Sequence, residues 1–146
     1  MSKVTFLSLL ILFLTEVRTI EYNGRKVRTT FIAPEQFYGV YKGDKEGFLQ
    51  LNEDGTGEYQ YDVFGFAPAN CIDNAIAIEW GFIVNDLDER ISFKREYGYS
   101  YPILLKSISD IKFQGCRKEV ILDFILEYKD GSLGVSSSDD WVKQEN

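Results

Sequence analysis

The chain has 146 residues, about one domain, and at 45% apolar content it can build one sizeable core. Its net charge is -7, from 16 Lys+Arg against 23 Asp+Glu, and no basic cluster could follow a phosphate backbone. That balance argues against nucleic acid and favours cationic partners over anionic ones. Histidine is absent, which removes the commonest zinc and haem ligand and the general base of Ser-His-Asp and Cys-His hydrolases.

The N-terminus opens with Met1, Ser2 and Lys3, continues in an apolar-rich run from Val4 to Leu14 and ends in Thr15 and Glu16. This is the layout of a secretory signal peptide, assigned to residues 1–19, with Val17-Arg18-Thr19 at the expected cleavage site. The run is shorter than the roughly 20 apolar residues that a transmembrane helix needs, so no transmembrane segment is expected. The expected location is secreted or periplasmic. Residues 20–36 are polar, with several basic residues and Pro34, and read as an N-terminal arm or a first short strand; residues 37–146 read as a single barrel domain.

From Phe37 onward the apolar residues recur at every second position, the period of a strand. Phe37–Tyr41, Phe48–Leu51 and Tyr59–Val63 follow one another, and between Ala75 and Val84 the residues Ile76, Ile78, Trp80, Phe82 and Val84 share one face against Ala77, Glu79 and Gly81. Asn85-Asp86-Leu87-Asp88 predicts a turn, after which Ile91, Phe93 and Arg95 repeat the period. Further strands are predicted at Tyr101–Lys106, Ile111–Gln114, Val120–Tyr128 and Leu133–Ser137, with a turn at Lys129-Asp130-Gly131-Ser132. The fold class is therefore all-β: an antiparallel up-and-down meander of 8–9 short strands, closed into a barrel so that no long edge is left exposed.

The stretch Leu49–Tyr61 superficially resembles a calcium loop. With Gly55 at the sixth position the early ligands are Gln50, Asn52 and Asp54, but the twelfth falls on Tyr61, where a bidentate Glu is needed. The alternating residues on both sides predict a hairpin tip instead. No metal site is expected: the other paired carboxylates, Asp86 with Asp88 and Asp139 with Asp140, lie in turns or the tail. Ser136-Ser137-Ser138-Asp139-Asp140 reads as the polar end of the last strand, with Trp141 closing the barrel.

Gly39-Val40-Tyr41, the Leu49–Tyr61 hairpin and the closing Leu133-Gly134-Val135-Ser136-Ser137 together resemble the small lipocalin-like (calycin-type) domains of secreted bacterial proteins. Lipocalins carry Gly-x-Trp near the first strand, and here Tyr41 stands in the place of the tryptophan. The resemblance implies a closed antiparallel barrel that binds a small apolar ligand or is reused as a binding surface.

Candidate ligand contacts lie at Arg95, Tyr97 and Tyr99, with Trp80 on the strand face assigned to the interior. A continuous strand through Phe93–Tyr101 would put Arg95, Tyr97, Tyr99 and Tyr101 on one face, where an Arg fork flanked by phenols suits a carboxylate. Gly98 argues for a turn or bulge there instead, which would leave the tyrosines facing solvent. An interior packed by Ile76, Ile78, Trp80, Phe82, Phe93 and Leu122 would count against ligand storage. Cys71 and Cys116 are the only cysteines, and in an exported chain they are expected to form a disulfide. The function expected is a non-enzymatic secreted barrel, without cofactor, binding a small apolar or amphipathic ligand. The alternative is an exported acidic module, of inhibitor or immunity type, that engages a basic enzyme or toxin.

Overall fold

The structure is a computed structural model, and it describes residues 16–60, 75–108 and 119–145. Cys71, Cys116 and the strand predicted at Ile111–Gln114 lie outside the described residues. Among the described residues there are eleven strands: β1 (Val17–Tyr22), β2 (Arg25–Thr30), β3 (Gly39–Lys42), β4 (Phe48–Leu51), β5 (Thr56–Gln60), β6 (Ile76–Ile83), β7 (Phe93–Arg95), β8 (Gly98–Ser107), β9 (Val120–Tyr128), β10 (Leu133–Val135) and β11 (Ser138–Lys143). Eight of them, β3 to β6 and β8 to β11, form a closed antiparallel barrel in sequence order. Closure comes from β6 pairing with β8 and from β11 returning to β3, with Val142 opposite Lys42 and Lys143 opposite Tyr41. The expected up-and-down meander is what forms.

The strand alternation decides which residues fill the barrel. On β6, Ile76, Ile78, Trp80 and Phe82 point inward and are buried, as the sequence predicts, and Tyr41, Leu49, Leu51, Tyr59, Ile103, Leu105, Ile121, Ile125 and Trp141 meet them. The rings interlock edge to face, with Trp80 to Phe82 at 5.5 Å and Tyr59 to Trp141 at 6.0 Å, a preferred arrangement for aromatic pairs. Phe93 and Leu122 depart from the expectation: both lie on the outer surface, 44% and 41% exposed. Ile121 and Ile125 take the interior positions of β9, so the residue between them in phase with the outer face cannot.

The Leu49–Tyr61 question resolves as a hairpin. β4 and β5 pair from Phe48 opposite Gln60 to Leu51 opposite Gly57. Gly55 closes the turn at φ 82°, a left-handed conformation that glycine adopts without steric cost. The Asp54 Oδ1 accepts from the Thr56 hydroxyl (2.6 Å) and amide (2.9 Å), which holds its carboxyl below the usual range.

Residues 17–30, read from sequence as leader end and arm, form the β1–β2 hairpin. Asn23 and Gly24 both have positive φ, 50° and 79°, the requirement of a two-residue type I′ turn. β2 pairs with the end of β6, Thr29 opposite Ile83 and Thr30 opposite Phe82, and Thr29 packs directly over Gly81, where a Cβ would collide. Arg18 fixes the hairpin to the barrel: its Nη2 donates to the carbonyls of Gly55 (2.6 Å) and Trp80 (2.7 Å), and its guanidinium lies 4.8 Å from the centre of the Phe31 ring. The stretch Val17-Arg18-Thr19 is thus part of a strand. The strand predicted at Leu133–Ser137 ends at Val135, Ser136-Ser137 make a turn, and Ser138–Lys143, read from sequence as the tail, forms the further strand β11.

Candidate functional site at one end of the barrel

In a meander the connections alternate between the two ends. The turns β4–β5, β6–β7–β8 and β9–β10 emerge at one end together with the 3₁₀ turn Glu35–Phe37 that precedes β3. Here a charged group meets the apolar interior. β6 extends through Val84 into a turn in which the Asn85 side chain accepts from the amides of Leu87 (2.9 Å) and Glu89 (3.1 Å). The chain then returns so that Arg90 pairs with Val84. Val84 continues the inward series Ile78, Trp80, Phe82, and paired residues share a face, so Arg90 inherits the inward direction.

Three rings receive it. The Arg90 guanidinium lies 5.0 Å from the centre of Phe37, 5.5 Å from Phe82 and 5.1 Å from Tyr101. The rings stand nearly perpendicular to one another, at 75°, 81° and 74° with centroids 5.4–6.2 Å apart, so they form three walls of a cage. Each such contact contributes on the order of 0.5–2 kcal/mol. Yet Nη1 of Arg90 is shut off from solvent with no hydrogen-bond partner among the described residues, and a buried donor left unmade costs about 1–3 kcal/mol. The rings can hold the cation, but they do not supply an acceptor.

Tyr101 carries the second polar feature, its hydroxyl donating to Glu127 Oε1 at 2.8 Å. Burial, and then the bond and charge of Glu127, push the Tyr101 phenol up to about 12, while Arg90 pulls in the opposite direction. Tyr99 is paired with Lys94 on one side and Glu127 on the other. These three therefore fall on the face that Tyr101, Ile103 and Leu105 turn inward, one pleat nearer the rim.

The residues singled out from sequence do not assemble into one clamp. Gly98, at φ 145° and with the Glu127 carbonyl where its Cβ would be, closes a tight β7–β8 hairpin, so the continuous strand does not exist. Arg95 lies on the outer face, exposed, its guanidinium 5.3 Å from the Phe93 ring centre and its Nε donating to Ser100 Oγ at 3.2 Å. Tyr97 sits in the turn, 40% exposed, against Tyr128 at 5.6 Å. Tyr99 is 43% exposed at the rim. Trp80 is inside and fully buried, its Nε1 donating to the Thr56 carbonyl at 3.0 Å, one ring removed from the cage through Phe82. The residue that sequence reading missed is Arg90. The signal that finds it is the pairing across the Asn85–Asp88 turn, which carries the face of Val84 over to Arg90.

At the opposite end, the Ser136-Ser137 turn is tied by Asp123: its Oδ1 accepts from Ser136 Oγ (2.8 Å) and its Oδ2 from Ser137 Oγ (2.6 Å). The carboxylate is occupied in capping a turn. Comparison with protein-family models, with curated proteins and with solved structures gave no match. The closed eight-stranded barrel is compatible with a lipocalin-like domain and with a binding role. Among the described residues no helix is long and apolar enough to cross a membrane.

Proposed function

We propose that this protein is an exported, non-enzymatic barrel of lipocalin-like type that binds a small amphipathic molecule at the Arg90 end. The observation that carries this reading is the cage itself, a guanidinium set among Phe37, Phe82 and Tyr101 at the margin of a largely apolar interior. Binding sites typically combine apolar walls with a few placed polar groups. The interlocked rings from Trp80 inward support a ligand seated at this end, not one stored along the whole barrel axis.

Native mass spectrometry of the protein isolated from its own host tests the reading. The expected result is a small adduct of defined mass that is lost on denaturation. A protein that carries no adduct, and acquires none from a total lipid and metabolite extract of that host, counts against it. A second reading, an acidic module that docks on a basic protein, is favoured by the net charge of -7 and by Leu122, Phe93 and Val142, each more than 40% exposed on the outer surface. A basic protein retained in the same spectrum, without a small adduct, would select it.

A further inference from the structure

Strand β9 is polarised the wrong way round for a barrel in water. An antiparallel sheet with one wet face normally puts apolar residues inside and polar ones outside. The inward set on β9, Ile121, Asp123, Ile125 and Glu127, includes two carboxylates, whereas the outward set, Val120, Leu122, Phe124, Leu126 and Tyr128, carries no charge. The apolar exterior continues sideways along the ladder, since Leu126 stands between Ser100, the partner of Phe93, and Gly134, the partner of Val142. The chain itself covers part of this surface. β1 lies against β9, Thr29 packs over Gly81, and Leu104, paired with both Gly81 and Leu122, faces outward yet is fully buried. Beyond the hairpin the strip is exposed: Leu122 by 41%, Val142 by 43% and Phe93 by 44%. On the opposite flank of the barrel Gln50, Glu58 and Glu79 face outward, so the strip is one-sided and not a belt. An apolar patch of this kind marks an interaction site.

The charges at its margins give the sign of the partner. Lys42 pairs with Val142, and Arg95 pairs with Gly98, which stands opposite Tyr128; both cations are exposed. In the ladder rows that cross Leu122, Phe124, Leu126 and Tyr128 they are the only charged side chains among the described residues, although acids outnumber bases 23 to 16 in the chain. We infer that this strip docks an acidic, apolar segment of another protein, its hydrophobic side chains on Leu122, Phe124 and Leu126 and its carboxylates on Lys42 and Arg95. A second copy of the chain fits poorly, because an isologous contact through this face brings cations to cations and supplies no acid. An anionic bilayer fits poorly too. The net charge of -7 is repelled by an extended negative surface, whereas a short segment feels chiefly the charges within a Debye length of about 8 Å. The chain as a whole favours basic partners, and this face reverses that preference. The inference does not depend on ligand binding at the Arg90 end.

Selection of short random peptides from a display library on the immobilised full chain tests the site, with sedimentation equilibrium of the free protein alongside. The enriched peptides are expected to combine Asp or Glu with aliphatic or aromatic residues. The best of them, synthesised, should bind Leu122→Asn and the double variant Lys42→Glu/Arg95→Glu at least about tenfold more weakly than the parent, equivalent to about 1.4 kcal/mol each. Its binding should also weaken as salt is raised, and Glu58→Gln, on the opposite flank, should bind as the parent does. Enrichment of basic peptides would overturn the acidic partner. No enrichment, or peptides that bind Leu122→Asn undiminished, would overturn the site. A dimer that Leu122→Asn abolishes would give the face to a second copy and overturn the inference as well. Near-UV circular dichroism reports whether Leu122→Asn is folded; if it is not, Val142→Asn takes its place with the same reading.

Discussion

The two ends of the barrel are built differently. At the Arg90 end three of the turns carry an internal side-chain cap. Asp54 accepts from Thr56, Asp130 from Ser132 at 2.9 Å and 2.6 Å, and Asn85 from Leu87 and Glu89. At the other end, the Asp123-capped Ser136-Ser137 turn stands beside the much longer connections from Gln60 to Ile76 and from Ser107 to Val120. These two hold Cys71 and Cys116, and they spring from neighbouring strands, since Tyr59 pairs with Ile76, Ile78 with Ser107 and Lys106 with Val120. The contrast shows how a small barrel can keep a charged group in a fixed position: side-chain caps hold several of the turns around it, and the longest connections leave from strand ends away from it.

The comparison can be broken or sharpened by experiment. The largest effect is expected at the far end. If Cys71 and Cys116 are bonded in the exported protein, reduction should lower stability by about 4 kcal/mol through restored freedom of the unfolded chain. Urea midpoints with and without reductant measure this, and coincident midpoints would show that the far end is not clasped.

The next effect is expected at the Arg90 end. Arg18→Ala removes two bonds to the Gly55 and Trp80 carbonyls and should cost about 2–3 kcal/mol, the range for bonds from a charged donor. A chain beginning at Ile20 should lose at least as much. If a leader is removed on export, N-terminal sequencing should therefore find the mature chain starting at or before Val17. A start at Ile20 with undiminished stability would show that the hairpin is dispensable.

The two tryptophans give a smaller test. Trp80 has its Nε1 bonded to Thr56, whereas the Nε1 of Trp141, which packs against Tyr59 towards the far end, is buried without a partner among the described residues. Trp80→Phe should cost about 2 kcal/mol, from lost packing and a lost bond. Trp141→Phe should cost clearly less, because it also removes an unpaired donor. Equal losses in the urea midpoint would erase the distinction.

The smallest effect concerns pH. Tyrosine in an unfolded chain ionises near about 10, while Tyr101 is raised to about 12 and burial lifts Tyr41 well above the ordinary value. The unfolded state therefore releases protons first. Stability should be complete below about pH 10 and decline as pH rises through 12. Because Arg90 lowers the Tyr101 value and Glu127 raises it, absorbance titration should place Tyr101 higher in Arg90→Gln and lower in Glu127→Gln. Shifts in the reverse directions would contradict the arrangement of these three side chains.

Much of the fold was legible because strand periodicity is local. Ile76, Ile78, Trp80 and Phe82 announce their face within eight residues, and Gly55 and Gly98 mark turns that the structure contains. The β1–β2 hairpin was legible in principle, since Asn23-Gly24 is a strong signal for a two-residue hairpin, but the surrounding polar residues Glu21, Arg25 and Lys26 obscure the alternation. Leu122 illustrates a different difficulty. Nearly every residue of β9 from Val120 to Leu126 is apolar, so the pattern does not say which set faces inward, and the pairing with β8 decides. Arg90 was least legible. Its direction depends on the register across a turn and its meaning on Phe37 and Tyr101, which the chain supplies from distant positions.

The seam where β11 meets β3 also orders events in time. Gln144 reaches back to the Lys42 carbonyl across 102 residues of sequence, so the barrel cannot shut until nearly all of the described chain exists. Until then β3 and β10 present open strand edges, the kind of surface on which chains pair wrongly with one another. A protein closed in this way has every strand made before its circle can form, and a ribosome-bound fragment lacking β11 should stay vulnerable to proteases until the last strand is added.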